Sequence, residues 1–336
     1  MNRVSASELL AQCENIRIAV VGDLMLDRYV SGKASRISQE APVPVVAVDD
    51  THDVPGGAAN VVRNLLALGA SVSAFGVLGQ DDAGARLRAM MLELGARVEG
   101  LVESESRRTT EKTRVLANRQ QVVRIDTEDS HAASPEEEKS LRQALYRAID
   151  NGEIDALIVE DYAKGVITPR LVTGLIERAN AAAIPVALDP HPANVMRLKG
   201  LTAMTPNRAE AFQLAGLFES IPAANPLEDA ALADVARSLA ESWGVRYLLI
   251  TLGPQGMILY RDGAQPRHVP TKAQEVYDVS GAGDTVIATL ALALAADASI
   301  EDAADLANHA AGIVVGKAGT AVVERDELLG SFGENE

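Results

Sequence analysis

Short apolar runs rich in valine, isoleucine and leucine alternate along the chain with amphipathic stretches that close on glycine. The runs at residues 16–22, 71–77, 154–160, 184–189, 201–205, 245–252 and 257–260 have the length and continuity of strands buried on both faces. Between them, residues 57–68, 82–94, 135–149, 169–183 and 227–243 repeat apolar positions at helical spacing. Strand and helix in alternation predict an α/β fold of three layers, α/β/α, with a mostly parallel central sheet. Ligands of such sheets bind beyond the carboxyl ends of the strands. Asp23, Asp161, Asp189 and Asn207 each stand at such an end.

Two segments break the alternation. Residues 28–33 and 43–48 flank a polar connection, while 112–117 and 121–126 read as a hairpin around Asn118-Arg119-Gln120. Together they predict a small β-sheet projecting from the body as a lid or an oligomer clasp, its strands inserted at about 28–48 and 107–126. Neither a repeat nor a low-complexity linker divides the chain, so residues 1–336 are expected to form a single domain. Residues 219–226 and the acidic tail read as exposed loop and terminus.

Charge narrows the partners. A formal net charge of −16 argues against nucleic acid and against anionic membranes, because the long-range field repels both. An anionic ligand must then meet a local basic pocket, and Arg107, Arg108, Lys112, Arg114, Arg119 and Arg124 supply one against the single acid Glu111. Strand periodicity puts Lys112 and Arg114 on one face. The plain alternative for the cluster is a solvated ribbon that uses charge to prevent edge pairing. Lys33 and Arg36 could join it from the neighbouring lid strand. Cys13 is the only cysteine, which excludes an intrachain disulfide or a cysteine-rich metal site. No basic flank precedes a long apolar run, so a cytoplasmic protein is expected.

Two glycine motifs carry the chemistry. In Asp278-Val-Ser-Gly-Ala-Gly-Asp284-Thr285 the N–H groups of Gly281, Ala282 and Gly283 open a helix, where unpaired donors and the positive dipole end favour an anion. Asp284 beside such an anion is suited to taking a proton from an attacking hydroxyl. In Pro55-Gly56-Gly57-Ala-Ala-Asn60 the paired glycines allow close approach to the backbone, and the Asn60 amide can bond a sugar hydroxyl. Asp23 and Asp27 are candidates for sugar hydroxyls, with Asp23 preferred because Asp27 can simply pair with Arg28 at the surface. Lys164, in a loop after a strand, can reach a substrate or nucleotide phosphate. Asn207 and Glu210 read on their own as a helix cap and its capping box. His52, His131, His191, His268 and His309 lack metal-ligand spacing, and a Gly-x-Gly-x-x-Gly fingerprint is missing after the first strand.

The two glycine motifs, with Gly69 and Gly79 downstream of the first, resemble the signatures of the ribokinase-like (PfkB-type) sugar kinases, and the likeness spans nearly the whole chain. Val62 and Thr289 depart from the smaller residues usual at those positions. Within the family the segments Gly22-Asp23-Leu-Met-Leu-Asp27-Arg28-Tyr29 and Arg36-Ile-Ser-Gln-Glu40-Ala-Pro42-Val-Pro44-Val are similar to the bacterial heptose 7-phosphate kinases that serve ADP-heptose and lipopolysaccharide synthesis. The resemblance implies an ATP- and Mg2+-dependent kinase with Asp284 as base. It leaves a monovalent cation open. It further implies that Asp189 faces the sugar and phosphate site, and that Asn207 and Glu210 hold phosphate and hydrated magnesium. Thr251, Gly253 and Gly256 form the adenosine-phosphate loop by the same likeness, Asn308 approaches the adenine, and a homodimer is expected. Many relatives carry a nucleotidyl-transferring domain after the kinase, and the chain reads as the kinase alone. The same family also handles hexose phosphates and keto-deoxy sugar acids, and a regulator that binds sugar phosphate without turnover is the reading from another class.

Overall fold

The computed structural model describes residues 1–333 except 119 and 274. Thirteen strands run β1 (Arg17–Gly22), β2 (Leu24–Ile37), β3 (Pro44–Gly57), β4 (Ser71–Gly79), β5 (Arg97–Ser104), β6 (Thr110–Ala117), β7 (Gln120–Thr127), β8 (Ala156–Glu160), β9 (Val186–Asp189), β10 (Leu201–Met204), β11 (Val245–Thr251), β12 (Met257–Arg261) and β13 (Arg267–Val269). Nine of them form one sheet in the order β13-β12-β11-β10-β9-β8-β1-β4-β5. It is parallel from β11 to β5 and antiparallel only where β12 and β13 are added at one edge.

Alternate side chains of each buried strand enter opposite cores, as a period of two requires. Ile18, Val20, Ala156 and Ile158 face one core, Ala19, Val21, Leu157 and Val159 the other. The first core is covered by α1 (Arg3–Cys13), α2 (Ala58–Ala67) and α3 (Asp82–Glu93); the second by α4 (Pro135–Asp150), α5 (Pro169–Ala181), α6 (Arg208–Leu214) and α7 (Ala230–Trp243). Three late helices, α8 (Ala282–Ala295), α9 (Ile300–Val314) and α10 (Arg325–Gly330), complete the first layer. Helix α8 has ten buried residues in a row, Asp284 to Ala293, so it lies inside the layer. Val62 and Thr289 are both fully buried between α2 and α8, and the Thr289 hydroxyl is left without a partner among the described residues.

The second sheet has the order β3-β2-β6-β7. It is the expected lid, but its strands are longer than the pattern suggested. β2 and β3 reach back to Leu24 and Gly57 inside the body, so the lid grows directly out of the floor of the site.

Candidate active site

The sheet order places the carboxyl ends of β10, β9, β8 and β1 side by side. A cavity of about 570 Å³ opens there, and Asp189, Asn207, Glu210 and Asp284 line it. Thr251, Gly253, Gly256, Ala282, Gly283 and Asn308 complete its polar and backbone walls, so most residues expected on the nucleotide side converge on one space. Val276, Val279, Val286 and Val315 supply an apolar wall of the kind a planar base needs.

Gly281 is the N-cap of α8 with φ +77°, a conformation that L side chains rarely adopt. A Cβ there would also lie 2.7 Å from the Asn60 amide nitrogen. That contact matters because Asn60 Nδ2 donates to Asp284 Oδ2 at 2.7 Å, while the Tyr162 hydroxyl donates to Oδ1 at 2.5 Å. Burial raises the Asp284 pKa above its ordinary value, and these two donors hold it partly down. The Asn60 amide is itself oriented by Arg63, which donates to its Oδ1 and to the Thr320 carbonyl at 3.1 Å each.

At the cavity wall, Asn207 Oδ1 accepts from Glu210 N and Glu210 Oε2 accepts from Asn207 N, a complete capping box. The cap leaves Glu210 Oε1 able to accept from the water shell of a magnesium ion, and Asn207 Nδ2, a hydrogen-bond donor, able to reach a phosphate oxygen beside the cavity. Burial raises the Glu210 pKa. Asp189 takes a hydrogen bond from Thr205, and desolvation with Glu210 and Asp284 nearby pushes its pKa well up. The Asn308 amide donates to the Pro270 carbonyl at 2.6 Å, so it braces the loop at the cavity wall. His309 stacks on Phe332, the packing role that is a helix histidine's default.

On the lid side the two aspartates exchange importance. Asp23 is buried, and its oxygens accept the backbone N–H groups of Tyr162, Lys164 and Val166. It shapes the loop that presents Tyr162: Oδ2 carries two of these bonds and Oδ1 one, so its first work is structural rather than the sugar contact first expected. Asp27 does not pair with Arg28, which bonds Asp53 and Glu111 instead. Arg114 Nη1 donates to Asp27 Oδ1 at 2.7 Å, and its guanidinium lies over the Tyr29 ring. Gly56 makes this possible, since a Cβ there would sit 2.4 Å from Asp27 Oδ2. Gly57, φ +56°, caps α2 where a Cβ would strike the Asp23 carbonyl at 2.6 Å.

The basic cluster divides. Arg108 pairs with Asp129, Arg124 with Asp126, and Arg107 is buried against the Lys164 and Asp129 carbonyls. Arg107 and Arg108 belong to the architecture of the lid root, Arg124 lies mid-strand on β7 opposite Arg114, and Arg119 lies outside the described residues. Lys33 and Arg36 are exposed toward the far end of β2; Lys33 is six positions from Asp27, about 20 Å along a strand, and does not join the site. Lys112 and Arg114 remain, in register with Asp27 and Tyr29 across β2 and β6. Burial lowers the Lys112 pKa. Lys164 Nζ bonds Glu128 at 2.7 Å.

The pattern missed Glu160, Tyr162 and Arg63. Glu160 carried a readable signal, a lone acid ending an otherwise apolar strand. The roles of Tyr162 and Arg63 depend on contacts 122 and 257 residues away in the chain.

Residues 15–326 match the model of the pfkB family carbohydrate kinases. The chain is 47% identical over 312 residues to the bifunctional protein HldE of Caulobacter vibrioides, covering 93% of this chain and 62% of that protein. It is 43% identical over 333 residues to HldE of Geobacter sulfurreducens, covering 99% of this chain and 66% of the relative. It thus spans just under two thirds of the curated relatives it matches. Among solved structures, the tetrameric inhibited form of Escherichia coli phosphofructokinase-2 superposes with a TM-score of 0.75 at 19% identity, over 94% of this chain and 98% of that one. Arabidopsis thaliana ribokinase complexed with ribose and ATP gives 0.71 at 19%, over 94% and 98%. These two likenesses concern the fold.

Proposed function

Because the chain belongs to the pfkB family of carbohydrate kinases, we propose that it transfers the γ-phosphoryl group of ATP to the anomeric O1 of D-glycero-β-D-manno-heptose 7-phosphate, giving the 1,7-bisphosphate for ADP-heptose and lipopolysaccharide synthesis. The observation that carries the transfer is the position of Asp284. It lines the nucleotide cavity and is bonded from the other side by Asn60, next to the lid face of Asp27, Lys112 and Arg114. The heptose rests on the likeness of the segments around Asp23–Tyr29 and Arg36–Pro44 and on the HldE relatives.

In this reading the acceptor sugar lies under the lid, with Asp27, Asn60, Gly56 and Gly57 on its hydroxyls and Lys112, Arg114 and Lys164 toward its phosphate. Asp284 takes the O1 proton as the oxygen attacks the γ-phosphorus and the bond to ADP breaks. The N–H groups of Gly281, Ala282 and Gly283 at the α8 terminus hold the charge that develops. Tyr162 and Asn60 hold the carboxylate in place with one bond to each oxygen, which leaves a lone pair on each. A bound magnesium ion would neutralise phosphate charge, with Glu210 and Asn207 as the residues to hold it. Asp189 stands beside that path, and Thr251, Gly253, Gly256 and Asn308 shape the adenosine end.

The chain works as one kinase domain with an inserted lid. A homodimer through the lid is favoured by Val123 and Ile125, which are 46% and 53% exposed on its free strand β7. ATP chemistry of this kind carries a cytoplasmic setting with it. The deciding measurement is ADP release with heptose 7-phosphate, fructose 6-phosphate and ribose as acceptors. A kcat/KM highest for the heptose is expected; preference for either other sugar would reassign the substrate, and no ADP release with any would end the kinase reading.

A further inference from the structure

Glu160 is the one acid of strand β8, and it is fully buried. Among the described residues neither of its carboxylate oxygens has a hydrogen-bond partner. An unpaired carboxylate is among the costliest groups a protein interior can hold, and burial beside other acids pushes the Glu160 pKa well up, so the group takes either a proton or a compensating cation.

The sheet register decides what stands beside it. Glu160 pairs with Gly22 of β1 on one side and with Asp189 of β9 on the other. Ile158 and Ala187, two residues earlier on β8 and β9, face the α8 core, so Glu160 and Asp189 face α8 as well. Gly22 makes the room, since a Cβ on it would lie 2.6 Å from the Glu160 Cβ. Helix α8 delivers Asp284 to the same place. Oxygens of Glu160, Asp189 and Asp284 all lie within 4.8 Å of one another.

With all three ionised this is a repulsive trio, two acids in register on adjacent strands with a third above them, which protons relieve in the metal-free protein and a cation would relieve by replacing them. Three hard oxygen donors that close together match a small divalent ion, whose metal–oxygen distances are about 2.1 Å for magnesium. We propose that Glu160, Asp189 and Asp284 hold a second divalent cation of the magnesium or manganese type, distinct from the one that Asn207 and Glu210 meet with the nucleotide. The site is a property of the protein without substrates; only its catalytic use, lowering the negative charge that faces the transferring phosphoryl group, rests on the kinase reading.

The test is titration of the full chain with Mn2+ in the absence of nucleotide, read by electron paramagnetic resonance. One bound ion per chain is expected. Glu160→Gln should weaken it at least about tenfold, Asp189→Asn should do the same, and Glu210→Gln, which removes a charge near Asp189 but no ligand, should weaken it much less. Both site variants replace a buried carboxyl whose ionisation is disfavoured by a neutral amide of the same shape, so in EDTA they should melt no lower than the parent, which checks that they fold. Crystals soaked in Mn2+ should give an anomalous peak between Glu160 and Asp189. An ion seen only with ATP, or one lost in Glu210→Gln and kept in Glu160→Gln, overturns the proposal. Failure on heptose 7-phosphate leaves these readouts untouched, so the two readings fall separately.

Discussion

Asp284 receives one hydrogen bond from Tyr162 and one from Asn60, and the two donors come from different elements, the loop after β8 and helix α2. Replacing the carboxylate by a carboxamide of the same size removes the proton acceptor. Asp284→Asn should therefore lower kcat by ~10²–10⁴ while ATP affinity, measured by calorimetry, stays close to that of the parent. Near-normal turnover would remove Asp284 from its role. Gly281→Ala tests the support of the same group: the left-handed backbone alone costs about 1–2 kcal/mol, and the added methyl meets the Asn60 amide. Both unfolding free energy and kcat should fall, whereas Gly283→Ala, whose Cβ meets only Asp189 Oδ2 at 3.7 Å, should be mild in stability. Asn207 and Glu210 read on their own only as a helix cap, and the family likeness was needed to mark them; residue types and spacing marked Asp284 and Asn60 as candidates. They were not enough to rank Asp23 against Asp27, because the three N–H groups that occupy Asp23 come from a loop about 140 residues away.

At the level of elements, the lid face built from β2 and β6 presents Asp27 and Tyr29 opposite Lys112 and Arg114. Lys112→Ala and Arg114→Ala should each raise the KM for the sugar phosphate more than the KM for ATP; equal effects would tell against a phosphate subsite on this face. Burial lowers the Lys112 pKa, so in the free enzyme its charge is lost at a lower pH than an exposed lysine's. The KM for the sugar phosphate should accordingly begin to rise on the alkaline side before ordinary lysine titration, and Lys112→Arg should flatten that rise. The buried strands were legible to within two residues because continuous apolar runs have few other uses. Helix α1 was not, since its polar residues give it little amphipathic contrast. Edge strand β5 alternates apolar with charged residues around Gly100, which weakens the same signal. The inner ends of β2 and β3 were hidden because Leu24–Leu26 is buried within the body and reads as a continuation of its core.

For the molecule as a whole, the groups of the site come from several parts of the fold: Asn207 and Glu210 from the start of α6, Asp27, Lys112 and Arg114 from the lid sheet, and Asn60 and Asp284 from the helical layer of α1, α2, α8, α9 and α10. Cys13, the last residue of α1, reports on that layer. It is fully buried beside Leu9 and Leu10, and burial pushes its thiol from 9.0 up to about 12, against a small opposing pull from Arg325. Between those values the native protein keeps a proton that the unfolded chain gives up. The unfolded state then binds fewer protons, and stability falls as pH rises. The loss should reach about 1.4 kcal/mol at pH 10. Urea unfolding at pH 8 and pH 10 on the parent and on Cys13→Ala isolates this term, because the cavity left by the missing sulfur shifts the variant equally at both pH values and cancels in the comparison. The parent should lose more stability than the variant between the two pH values, by roughly that amount. Parallel losses would mean that Cys13 is ionised or solvated in the native state, and the packing of α1 against α8 and α10 would have to be looser than the fold describes.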